Sequence, residues 1–139
     1  MKPVTQEMIL EFKLKKLKYD FMGYKFQRTQ DLSFHHLIVP HRECKKAGLG
    51  DGYLKWNGAI LKQTTSHDYL HIIEHIDSEI FYRITSEMID ENHKGRIDRE
   101  NLLRIRDLLL YFEKENNTKT NKKGLKLIKP IYITDRIEL

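Results

Sequence analysis

Apolar and polar positions change period several times along the chain, and each change marks an element. Thr5 is placed to cap a helix over residues 5–18, because Ile9, Phe12 and Leu17 fall near one helical face with lysines elsewhere. Phe12-Lys13-Leu14 also alternates, which leaves a strand open there. Residues 21–27 alternate aromatic and polar side chains around Gly23 and predict a strand. Residues 32–39 (LSFHHLIV) predict another, stopped by Pro40, which has no N–H for a ladder. Residues 41–55 carry Gly48, Gly50 and Gly52 and the turn pair Asp51-Gly52, so a loop is expected. A short strand follows at 59–63. Ser66 then serves as the expected N-cap of a helix to about residue 75, with Asp68 in its first turn.

The remainder reads as helical, then polar. Asp77 or Ser78 opens a helix with Ile80, Phe81, Ile84, Met88 and Ile89 on its apolar side and Gly95 at its C-cap. Asp98 caps the next, with Leu102, Ile105, Leu108, Leu109 and Phe112 inward. Residues 116–126 are polar, basic and aperiodic, the pattern of a flexible linker. Residues 127–133 alternate around Pro130 and suit an edge strand or a docking tail. The fold class is α+β. Residues 1–115 form one domain and residues 116–139 a basic linker and C-terminal tail. No internal repeat is visible.

Composition narrows the setting. A chain of 139 residues is long enough to bury a core without crosslinks. With one cysteine, Cys44, it has neither an intramolecular disulfide nor a CxxC zinc knuckle. No apolar run approaches a membrane span, and residues 1–7 show no secretory h-region, so a cytoplasmic protein without a membrane partner is expected. The net charge of +5 suits a polyanionic partner, though many proteins share it.

The chemistry concentrates in histidines. His67 and His71 are four residues apart, so on a helix they project from one face and can bind one metal ion. His35-His36 lies upstream on a predicted strand, and Asn57-Gly58 lies between the pairs. Neighbours on a regular strand point to opposite faces, so His35 and His36 can serve one site only if the strand bends or ends there. Imidazole also titrates near pH 6 to 7, the range a base for phosphodiester hydrolysis needs.

The order strand with His35-His36, glycine-containing loop, strand opened by Asn57, then His67-x-x-x-His71 resembles the ββα-metal fold of HNH endonucleases. The colicin-type nucleases, with His-His in the first strand, are the nearest pattern. The resemblance covers residues 30–76, with additional N-terminal and C-terminal helices, the latter at 78–113. It implies a DNA endonuclease, as in phages, mobile elements or defence systems, leaving 5′ phosphates. It makes His35, His67 and His71 ligands of a divalent ion (Mg, Mn, Zn or Ni), His36 the general base, and Asn57 the residue that holds the loop and orients His36.

Plainer readings stand beside these. His67 and His71 can be surface histidines, and Asn57-Gly58 an ordinary turn pair. His41 can reach a phosphate, His75 and His93 read as solvated, and Glu74 can back a ligand imidazole. Lys13, Lys15, Lys16 and Lys18 suit a solvated face. Lys119, Lys122, Lys123 and Lys126 suit either a phosphate track or a plain connector. At the level of function, one alternative is a non-cleaving HNH-like module that grips nucleic acid or a protein partner through the C-terminal helices or tail. Another is a helical interaction module at 78–113 with a structural zinc.

Overall fold

A computed structural model describes residues 1–122. It is a mixed helical and stranded structure: α1 (Pro3–Leu14), β1 (Leu32–His36), α2 (His41–Cys44), β2 (Gly58–Lys62), α3 (Asp68–Ile76), α4 (Ser78–Lys94) and α5 (Arg99–Lys122). The strands form a two-stranded antiparallel sheet in which Leu32 faces Lys62 and His36 faces Gly58. Helix α1 lies against both strands, α4 packs on β2, and α3 and α5 pack on α4. One core joins Phe12 of α1, Ile60 and Leu61 of β2, Ile73 of α3, Met88 of α4 and Phe112 of α5. No helix among the described residues is long and apolar enough to cross a membrane.

Several elements differ from expectation for local reasons. α1 starts at Pro3, with Thr5 buried inside it rather than capping, and it stops at Leu14 because Lys16 turns left-handed (φ 53°). Residues 21–27 are not a strand; they contribute one isolated bridge, Tyr19 to Lys25. The carboxylate of Asp20 accepts the N–H groups of Met22 (2.9 Å) and Tyr24 (3.0 Å), which curls the backbone around Gly23. Ser66 is not an N-cap. It lies inside a wide π-helical turn, Gln63–His67, and its hydroxyl donates to Asp20 Oδ2 while accepting Lys62 N at 3.0 Å.

The other caps follow the sequence. Asp77 accepts Ile80 N at 3.2 Å at the start of α4, and Gly95 ends α4 in the left-handed region (φ 71°). Asp98 accepts the backbone N–H of Asn101 at the start of α5. That helix continues through Lys122, so residues 116–122 are helical where an aperiodic chain is expected: the polar run carries no proline or glycine to break a helix already under way. The strand expected at 127–133 lies outside the described residues.

Candidate metal centre and its flanking histidine

β1 brings Ser33 and His35 to one face of the sheet, two residues apart, as strand periodicity dictates. On that face they meet His67 and His71, one turn apart where the π-turn runs into α3. One nitrogen from each of His35, His67 and His71 lies within 4.8 Å of the others, so the three can hold a metal ion. No fourth His, Cys, Asp or Glu joins this group among the described residues. Such a set leaves coordination positions open, as catalytic rather than structural zinc sites do.

The nitrogens are sorted by their hydrogen bonds. The Ser33 hydroxyl donates to Leu61 O at 3.2 Å, so toward His67 Nδ1, 2.8 Å away, it accepts. The His67 proton is thereby assigned to Nδ1, leaving the Nε2 lone pair free. That Nε2 lies 3.3 Å from His35 Nδ1. The edge of a tetrahedron of nitrogens around zinc at 2.0–2.1 Å is about 3.3 Å, so this spacing already fits a shared cation. His35 Nε2 is buried with no partner, so the ring is held by packing and by the contact of its Nδ1 with His67. His71 Nδ1 lies 3.4 Å from Glu74 Oε1, a long contact that nonetheless places a carboxylate behind the imidazole. Glu74 therefore backs His71, the ligand three residues before it, and not His67.

Burial drives the protonation states. Desolvation, helped by the neighbouring imidazoles, lowers the pKa of His35 to about 3 and that of His67 to about 4. Both rings are neutral at neutral pH, the form a metal needs.

His36 ends β1, and the strand expectation to residue 39 fails at this point. Asn57 is buried, and its Oδ1 accepts Ile38 N (2.9 Å) and Val39 N (2.8 Å), removing both from any ladder. Its Nδ2 donates to Val39 O (3.0 Å) and Gly52 O (3.3 Å), tying the strand end to the loop. The His36 ring packs among Phe34, His41 and Tyr53 at centroid distances of 5.0, 5.0 and 4.9 Å. His36 Nε2 donates to Asp51 O at 2.9 Å, which leaves Nδ1 as the basic nitrogen. Burial lowers the His36 pKa, against a smaller opposing effect of the Asp51 carbonyl.

His36 and the three clustered histidines line one cavity of about 660 Å³, together with His41 and Arg42. The sequence-predicted residues thus fall into two roles. Five histidines, His41 included, line the cavity; Asn57 is not among its lining residues and bonds only backbone. His75 and His93 are exposed and belong to neither group. Lys13, Lys15, Lys16 and Lys18 are exposed, as a solvated face requires. Cys44 is buried beneath the loop, donating to Pro40 O at 3.3 Å.

Three contributors were missed from sequence: Ser33, the Asp51 carbonyl and Gly52. Ser33 carried a signal, since it shares a strand face with His35. The Asp51 carbonyl carried none, because any residue supplies one. Comparison with protein-family models, curated proteins and solved structures gave no match.

Proposed function

We propose that the chain is a metal-dependent endonuclease of the HNH type that hydrolyses DNA phosphodiester bonds, with β1, β2 and α3 as its ββα-metal core. The observation that carries this reading is the sorting of imidazole nitrogens. Ser33 leaves a lone pair of His67 facing His35, while Asp51 leaves Nδ1 as the basic nitrogen of His36, a residue that lines the same cavity. A merely structural zinc would explain the first arrangement but not the second.

His36 Nδ1 takes a proton from water as the water oxygen bonds to phosphorus. The bond from phosphorus to the 3′ oxygen breaks, and that oxygen is protonated by solvent. A divalent ion on His35, His67 and His71 would stabilise charge on the phosphate and on the departing oxygen. Three imidazoles favour zinc or nickel over magnesium by ligand type, with manganese between. Asn57 is a positioning residue: it fixes the strand end that carries His36 and the loop that holds His36 Nε2. Arg42 and His41 lie on the cavity wall where a phosphate would enter.

Supercoiled plasmid incubated with the protein and Mg, Mn, Ni or Zn tests the reading. Nicking should disappear with chelator and fall by about 10²-fold or more in His36→Ala, the scale of a lost general base. Calorimetry should show that His36→Ala still binds metal. Salt-sensitive DNA binding without cleavage under any metal would instead identify a non-cleaving binding module.

A further inference from the structure

The cavity at the histidines is larger than a phosphate and an ion require. Its volume of about 660 Å³ lies within the roughly 300–1,000 Å³ typical of small-ligand sites. Its two sides differ in chemistry. One carries the imidazoles and Arg42; the other is the flank of α4, with Phe81, Tyr82, Thr85 and Ile89.

One feature of that flank points to an occupant. Tyr82 is 65% exposed, its ring 5.5 Å from that of Phe81, so an aromatic surface stands open at the cavity. Thr85 beside it is 6% exposed with its hydroxyl sealed from solvent, so it shapes the wall without offering a group that a ligand can reach.

We propose that the α4 flank is a nucleobase pocket and that the preferred substrate is single-stranded DNA. One unpaired base stacks on Tyr82 while its phosphate lies against the histidines. A base within a duplex cannot enter, since its faces are covered by neighbours and its pairing edge is occupied. Every base has a π-face, so a stacking wall takes any of the four with little sequence preference. The proposal rests on the nuclease reading for the phosphate's placement.

The test uses a labelled oligonucleotide as a single strand and as a duplex of the same sequence. Each is titrated at fixed salt into the His36→Ala chain, with and without Tyr82→Ala or Tyr82→Phe, while plasmid nicking by the unmutated chain is followed separately. The single strand should bind about tenfold tighter than the duplex. Tyr82→Ala should remove most of that difference, the loss expected for one stacked base, and Tyr82→Phe should preserve it. Equal affinity for the two forms, or a single-strand affinity that Tyr82→Ala leaves unchanged, overturns the pocket. Metal-dependent nicking in that case leaves the nuclease reading standing. Absence of nicking overturns the nuclease reading, and a Tyr82-dependent preference for single strands would then support the pocket alone.

Discussion

Ser33 decides which nitrogen of His67 an ion would meet. With its hydroxyl donating to Leu61 O, it accepts from His67 Nδ1 in the tautomer that leaves Nε2 for an ion. Ser33→Ala frees the imidazole to rotate or to change tautomer. We expect zinc or nickel affinity to fall about 10–100-fold, the usual scale for loss of a group behind a metal ligand, with about 1 kcal/mol change in stability. Calorimetric titration gives the affinity, and ¹⁵N chemical shifts of the His67 ring give the tautomer; an unchanged titration would remove Ser33 from the site. Asn57 shows the opposite balance. Asn57→Ala strands two part-buried N–H groups and two carbonyls, for a loss of about 1–3 kcal/mol in chemical denaturation. Cleavage should fall with it, because the strand end carrying His36 is no longer tied.

At the scale of elements, two glycines with nearly the same backbone separate a cap from a close approach. Gly52 (φ 74°) and Gly95 (φ 71°) are both left-handed. A Cβ at Gly95 meets nothing within 4 Å, so Gly95→Ala should cost about 1 kcal/mol and leave activity intact. A Cβ at Gly52 would lie 2.1 Å from Cys44 Sγ and 3.0 Å from His36 Cδ2. Gly52→Ala should cost about 2–4 kcal/mol, strain plus overpacking, and should displace the His36 ring. Denaturation midpoints of the two variants check the difference, and equal losses would contradict the packing argument. The same loop shows what the sequence could not state. The glycines announced a turn but not that one of them abuts an imidazole. The His-x-x-x-His spacing and the strand period placed the cluster, because both follow from local geometry. The early end of β1 and the role of Ser66 depend on the distant partners Asn57 and Asp20, which no local pattern specifies, whereas the curl at residues 21–27 rests on the adjacent Asp20 carboxylate, a local turn that the alternation masked. The helical run past residue 116 is a case where continuity outweighed composition.

For the whole molecule, stability against pH is set by two buried groups of opposite sign. His35 and His67 have folded pKa values of about 3 and about 4, below the unfolded value near 6.5. Their contribution is complete above pH 6.5 and is lost as pH falls toward those values. The slope reaches about 1.4 kcal/mol per pH unit for His35 and less for His67, which is partly open to water. Glu91 and Asp20 act the other way. Burial holds the Glu91 carboxyl well above its ordinary range, with its Oε1 accepting Asp98 N at 3.1 Å and its Oε2 unpartnered. Burial also raises Asp20, although hydrogen bonds from Lys62, Met22, Tyr24 and Ser66 oppose it. Their contribution is complete below the unfolded carboxylate range and is lost as pH rises through the folded values. The two sets oppose each other above the unfolded carboxylate range and below about pH 6.5, so metal-free stability should change less there than the histidines alone would make it, and should fall at lower pH. Substitutions resolve the two sides. Glu91→Gln keeps a neutral acceptor for Asp98 N, so its stability relative to the parent should climb as pH rises from 4.5 to 8. His35→Gln should flatten the acid limb below pH 6. Melting curves across pH 4–8 read both effects, and a Glu91→Gln difference independent of pH would mean that this buried carboxyl is already ionised at pH 4.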